Sequence, residues 1–146
     1  MVDVVTEITI NCPIDQVSSY SSDPENAPTW YVNIHSAEWK TSKPLIIGSK
    51  IAFKAKFLGR ELAYVYEIVE IIPEKKLVMK TANGPFPMET IYIWSSLDHN
   101  QTRMILRNKG NPTGFSKIIT PLIAKMMKKA NMKDLQKLKY ILENPS

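Results

Sequence analysis

The sequence predicts an α+β fold, and three observations carry that prediction. The stretch from Gly114 to Glu143 is the only long run with helical apolar spacing, recurring at Phe115, Ile118, Ile119, Leu122, Ile123, Met126, Met127, Ala130, Leu135, Leu138, Ile141 and Leu142. From Gly48 to Lys109 the chain instead alternates apolar and polar residues in short runs broken by turn residues. A helical pattern separates strands only in the first connection, and parallel pairing needs such a crossover every time, so the sheet should be mostly antiparallel. A helix of roughly 29 residues spans about 43 Å, enough to lie across a small domain with a curved sheet around it.

In chain order, Val4, Thr6, Ile8 and Ile10 share one face of a half-buried strand from Val2 to Asn11. Asn11 is placed to cap a short helix through Ile14, Val17 and Tyr20, which Ser22-Asp23-Pro24 stops. Pro24 to Ala27 begins a second small helix, interrupted by Pro28 before Trp30. Val32 to Thr41 reads as a strand with apolar residues on both faces, which leaves His35 and Trp39 without a side.

A series of hairpins follows. Ile51, Phe53, Ala55 and Phe57 alternate with Lys54 and Lys56, and Gly59-Arg60 suits a two-residue turn with glycine first. Leu62, Tyr64, Tyr66 and Ile68 return, and Pro73-Glu74 turns the chain again. Leu77, Met79 and Thr81 form the next inner face. Pro85 pushes Gly84 toward extended backbone, so Asn83-Gly84 belongs to a longer loop. Phe86, Met88, Thr90, Tyr92 and Trp94 make the most aromatic face; after the Asp98-His99-Asn100 turn, Thr102, Met104 and Leu106 close the sheet. Pro121 is expected to kink or break the terminal helix.

At 146 residues and 44% hydrophobic the chain suits one domain, 1–146, able to bury roughly two-thirds of its unfolded surface. No apolar run is long enough for stable membrane insertion, and Met1 runs into Val2-Asp3-Val4-Val5 without a basic leader. With a single cysteine, Cys12, no internal disulfide forms, and a reducing cytoplasmic setting is expected. The net charge of +5 has one source. Between Phe115 and Glu143, seven lysines face Asp134 and Glu143, while the remaining 12 basic and 12 acidic residues cancel. A solvated helix face explains it best; anionic lipid headgroups or acidic partners come second. Nucleic acid is not an expected partner, because arginines are few and no aromatics interleave with the lysines.

A family resemblance rests on particular residues. Ile14-Asp15-Gln16-Val17, Ser22-Asp23-Pro24-Glu25-Asn26 and Pro28-Thr29-Trp30 resemble the opening of the START-related (SRPBCC) superfamily, within its polyketide cyclase/dehydrase and lipid-transport group. Gly48-Ser49, Phe57-Leu58-Gly59-Arg60, Tyr66-Glu67-Ile68-Val69-Glu70 before Pro73, Gly84-Pro85-Phe86 and Gln101-Thr102-Arg103 agree in order, as does a helix containing Pro121. The resemblance implies a helix-grip fold: a seven-stranded antiparallel sheet curved around a long C-terminal helix, two short helices between strands 1 and 2, and an apolar cavity between sheet and helix. Functions in that group run from lipid and hormone binding to polyketide cyclisation.

The predicted inner faces supply candidate ligand contacts: Phe53, Phe57, Tyr64, Tyr66, Met79, Met88, Tyr92 and Trp94 from the sheet, with Ile119, Ile123, Met126 and Met127 from the helix. A packed core would use many of the same side chains. Trp30, in a loop after the short helices, is assigned to the entrance. Catalysis has thinner support. His35 and His99 are far apart with no metal-ligand spacing, Cys12 reads as a buried structural thiol, and no nucleophile elbow, phosphate loop or dinucleotide fingerprint appears, so neither metal nor cofactor is expected. A tyrosine, His35 or Glu70 would serve any acid/base step, although Arg60 and Glu70 fit strand-end charges equally well. The reading is non-catalytic binding of a hydrophobic or amphipathic small molecule: a lipid, a polyketide-like compound or an aromatic metabolite. A cyclase/dehydratase-type enzyme using the same cavity is the alternative, and a partner-binding module using the basic helix or exposed Tyr31 and Trp39 is the third possibility.

Overall fold

The structure, a computed structural model, describes residues 2–57, 59–83, 87–111 and 120–145, with the Phe57 side chain excepted. Its elements are β1 (Val2–Ile10), α1 (Ile14–Ser22), a 3-10 turn (Pro24–Asn26), α2 (Ala27–Trp30), β2 (Ile34–Trp39), β3 (Lys50–Phe57), β4 (Arg60–Ile72), β5 (Lys76–Asn83), β6 (Met88–Asp98), β7 (Gln101–Gly110) and α3 (Thr120–Glu143). The seven strands form one sheet in the order β1-β7-β6-β5-β4-β3-β2. Every pair is antiparallel. The sheet curls around α3, which is the helix-grip arrangement, and only β1 and β2, at opposite edges, need the helical insert to connect them.

The inward faces follow the period of two. On β7 Thr102, Met104, Leu106 and Asn108 are buried, and on β6 so are Thr90, Tyr92 and Trp94. Where the period failed, the backbone explains why. A bulge between Ile34 and Ser36 shifts the β2 register, so Ile34, Ala37 and Trp39 all reach the core despite unequal spacing. His35 falls on the exposed side, 2.8 Å from Glu61. A second shift between Ile68 and Glu70 likewise turns both Ile68 and Ile71 inward.

Helix α3 runs alongside β1 in the same direction. Near its start, Ile123 packs with Val2 and Val4. Near its end, Lys139 Nζ donates to the Thr9 carbonyl at 2.8 Å and the Asn11 N–H donates to Glu143 Oε2 at 2.8 Å. Leu135 and Leu138 sit between these ends in the main core with Trp30, Met104 and Leu106, all fully buried. The lysines at 125, 128, 129, 133 and 137 are exposed, as a solvated face requires, and no described helix is long and apolar enough to cross a membrane.

Several local expectations are corrected. Pro121 lies at the edge of the described part of α3; the earlier part of the expected helix, where a kink or break at Pro121 would show, and the loop at Gly84 lie outside the described residues. Pro28 sits in the first turn of α2 instead of interrupting it. Pro13, not Asn11, is the residue before α1, and the Asn11 side chain instead accepts from Gln101 Nε2. Phe57 pairs with Arg60, so Gly59, at φ 75°, is second in its two-residue connection rather than first. The Pro73 turn forms as read, closed by Lys75 N–H to the Ile72 carbonyl at 2.9 Å with Glu74 at φ 61°.

Leu138 is fully buried under the sheet, and its truncation leaves a void that close-packed neighbours refill only in part. Leu138→Ala should therefore lower the unfolding free energy by about 2–5 kcal/mol, read as a reduced urea midpoint at unchanged slope.

Candidate functional site

Strands β3 and β4 build an aromatic wall. Their register sets Phe53 opposite Tyr64, and the Phe53 and Tyr66 rings meet edge to face at 5.8 Å with Tyr64 5.9 Å beyond. Facing this wall is the first half of α3, and between the two lies a cavity of about 160 Å³ that opens to solvent. Its apolar lining comes from Ile34, Phe53, Ala55, Leu62, Met88, Ile123, Met127 and Ala130; Tyr31, Asn33, Lys56, Tyr64, Tyr66, Asn108, Asn131 and Asp134 supply the polar part.

Two hydrogen-bond relays stiffen the polar side. Thr90 Oγ1 donates its one proton to Asn108 Oδ1 at 2.7 Å across β6 and β7, so it accepts from the Tyr66 hydroxyl, its other partner. The Tyr31 and Tyr92 hydroxyls lie 2.6 Å apart, with Trp30 against both rings. Burial pushes the phenols of Tyr31, Tyr66 and Tyr92 well above the ordinary tyrosine range, so all three stay neutral near pH 7.

Helix α3 contributes what its apolar stripe conceals. Positions 127, 131, 134 and 138 follow helical spacing, and two of them are polar: Asn131 is 7% exposed and Asp134 only 4%. Asp134 Oδ1 accepts from the Val32 N–H at 2.8 Å. Burial raises its carboxyl to about 6, outweighing the Val32 hydrogen bond and the nearby Lys137 charge. The Asn131 Nδ2 is buried with no hydrogen-bond partner among the described residues. An unpartnered amide and a carboxyl that changes charge near neutral pH, both bordering an apolar hollow, can orient the polar end of a bound molecule and exchange a proton with it.

The residues named from sequence divide accordingly. Phe53, Tyr64, Tyr66, Met88, Ile123 and Met127 line the cavity. Met79 and Tyr92 are core, Tyr92 reaching the site only through Tyr31. Trp94 lies in the core toward α1, its Nε1 donating to Ser21 Oγ at 3.0 Å, and Met126 is one helical step off the lining and 37% exposed. Trp30 is fully buried beneath Tyr31, not at an entrance, because the residues around it are helical rather than looped. Ile119 and the Phe57 side chain lie outside the described residues. His35 and Glu70 stand away from the cavity, paired with Glu61 and Lys76, and Tyr31 and Trp39 are half-buried rather than displayed. Cys12 is buried, its thiol 3.0 Å from Gln16 Oε1. Among the described residues no cluster of metal-ligating side chains forms. Sequence reasoning missed Asn108, Asn131 and Asp134, although strand parity and helical spacing already turned each inward.

Residues 1–143 match the model of a family described as polyketide cyclase/dehydrase and lipid transport. Among solved structures, a START superfamily protein from Mycobacterium smegmatis superposes with a TM-score of 0.83 at 13% identity, over 98% of each chain. The Zhui aromatase/cyclase from Streptomyces sp. R1128 gives 0.78 at 15% identity, over 97% of this chain and 93% of that one. A ginseng major latex-like protein from Panax ginseng gives 0.70 at 12% identity, over 96% of each chain. No curated protein matches the sequence significantly.

The Asp134 carboxyl carries a signed pH dependence. Folded, it keeps its proton to about pH 6; its ordinary value is 3.8. Between those values the folded state holds the extra proton, so stability should fall as pH rises through that window and then level off, by up to about 3 kcal/mol. Asp134→Asn, which keeps an acceptor for Val32, should flatten that slope and be the more stable protein at pH 7 in urea titrations across pH 4–8.

Proposed function

The chain belongs to the polyketide cyclase/dehydrase and lipid transport family, and from that premise we propose that it binds a hydrophobic or amphipathic small molecule between its sheet and α3. The observation that carries this reading is the buried, unpartnered Asn131 amide on the wall of an otherwise largely apolar cavity. An unpartnered buried donor costs about 1–3 kcal/mol, which a ligand oxygen would recover. The apolar part of the ligand would gain roughly 25 cal/mol for each Å² removed from water.

Size narrows the class. A hollow of about 160 Å³ matches the roughly 150 Å³ cavity that admits benzene and falls below the ~300–1,000 Å³ of drug-sized sites. The buried part of the ligand is thus about one aromatic ring, or a few carbons of a chain, with its oxygen toward Asn131. Methionines 88 and 127 give the walls some adaptability. That reading is non-catalytic. A cyclase/dehydratase-type reaction is the second reading, favoured by one observation, the near-neutral carboxyl of Asp134 at the same wall.

Protein-observed NMR with benzene, phenol, acetophenone and indole tests the site. Benzene should move cavity resonances with affinity near the millimolar range, and acetophenone should bind severalfold tighter. Met127→Trp, which fills the hollow, should abolish both responses while the fold persists. Asn131→Leu should remove only the advantage of acetophenone. A wild-type protein whose cavity resonances respond to no member of the panel would sink the proposal.

A further inference from the structure

Beside the cavity is a second, wider hollow of about 450 Å³ between α3, the segment after α2 and the end of the β3–β4 hairpin. The two share Asn33, Lys56 and Ala130 in their linings, so they are adjacent spaces meeting at those residues. The outer hollow has a one-sided charge. Lys129 and Lys133 from α3 line it together with Lys56 of β3, which borders both hollows, and the exposed apolar Val32 and Met126, and no acidic side chain is among the described residues lining it. Lys129 and Lys133 are four residues apart and so share one face of the helix. The backbone N–H of Lys56 donates to the Asn33 carbonyl at 2.8 Å, which ties β3 to the segment crossing the hollow. None of these three lysines forms an ion pair among the described residues.

The inner cavity has the opposite preference. Apart from Lys56, which it shares with the outer hollow, its polar wall carries the Asp134 carboxyl, neutral tyrosine hydroxyls and asparagine amides. An anionic ligand group placed there would face a carboxylate in a setting of low dielectric and leave its own charge unpaired. Placed among the three lysines it would find three ammonium groups without acidic partners, in a space still open to water. Since the cavity takes only about one ring, anything larger must continue outward, and the shared lining residues lead toward the lysines.

We propose that the ligand is an amphipathic anion, its apolar end in the inner cavity and its carboxylate or phosphate held by Lys56, Lys129 and Lys133. This rests on the cavity being the binding site, and it adds polarity and orientation to that reading. Three exposed ammonium groups should raise affinity for the anion by about three- to tenfold over a neutral analogue at low salt, and added salt should erode that gain.

The test compares 4-phenylbutanoate and 3-phenylpropyl phosphate with the neutral 4-phenylbutan-1-ol, by calorimetry or NMR titration at 20 mM and 500 mM NaCl. The expected result is tighter binding of both anions at low salt, a smaller gap at high salt, and loss of most of the gap in the Lys129→Gln/Lys133→Gln variant, which leaves the inner cavity's lining intact, with alcohol affinity unchanged. A Lys125→Gln/Lys128→Gln control, outside the hollow, should leave the gap largely in place. Preference for only one anion would identify the head group as carboxylate or phosphate. Equal binding of anion and alcohol, or a gap that survives undiminished in the Lys129→Gln/Lys133→Gln variant, would overturn the anionic assignment while leaving the cavity reading standing. Anion binding that persists undiminished in Met127→Trp would overturn it too, since the head group would then be held without the cavity. If the alcohol as well as the anions failed to bind, both readings would fall together.

Discussion

The hydrogen bond from the Val32 N–H to Asp134 Oδ1, 2.8 Å long, is the tie on which the site's geometry depends. It joins the segment leaving α2 to the middle of α3, two parts of the chain 102 residues apart. One residue earlier, Tyr31 reaches the sheet through its hydroxyl contact with Tyr92. Helix, insert and the centre of the sheet are thereby linked around one hollow. The apolar walls by themselves would favour collapse, because packing at interior density removes voids; a backbone held at Val32 and a phenol held at Tyr92 fix one side of the space.

That tie is costly for the fold. An apolar residue at 134 would cover the sheet without desolvating a carboxyl, and one at 131 would leave no amide unpartnered. Two polar residues at consecutive inward positions of α3 are therefore hard to justify as packing. Thr90 and Asn108 differ from them, since these satisfy each other across neighbouring strands and leave little to explain. The contrast separates polar groups that the fold has paired from the Asn131 amide, which, unlike the unpartnered indole N–H groups of Trp30 and Trp39, borders the cavity, and an available buried donor beside an apolar hollow is what a ligand with an oxygen can use. Proteins commonly give up stability at sites where function needs an unsatisfied or strained group.

Much of this architecture was legible in the residues. Alternation on β1, β6 and β7 assigned the buried faces correctly from Val4 through Leu106, and the apolar spacing of α3 located Leu135 and Leu138. Where the pattern falls short, the reasons are identifiable. The bulge at Ile34 adds a residue to one strand and reverses the parity beyond it, which is why 32–41 reads as apolar on both faces. Met126 and Leu122 belong to a stripe read too broadly, because neighbouring positions on a helix differ by about 100°. Trp30 reads as an entrance residue only if it closes a loop after the short helices, whereas Pro24 and Pro28 occupy first-turn positions and the helix that Pro28 begins ends on Trp30 itself. Asn108 lies one step beyond Leu106, where the reading of β7 stops, and Asn131 and Asp134 fall in a helix stripe defined by apolar residues alone.

The sequence by itself determined the class, the antiparallel pairing, the inward faces of the regular strands β1, β6 and β7 and the helix that covers them, since these follow from local periodicity and turn chemistry. Only the tertiary structure decided which inward residues meet empty space. Phe53 and Trp94 share the sheet's inner face, yet one borders the cavity and the other packs toward α1 with its indole bonded to Ser21. A cavity is the separation between two surfaces brought together from distant parts of the chain, and that separation is set by the Val32–Asp134 tie and by the volumes of facing side chains. No periodicity within one segment encodes such a distance.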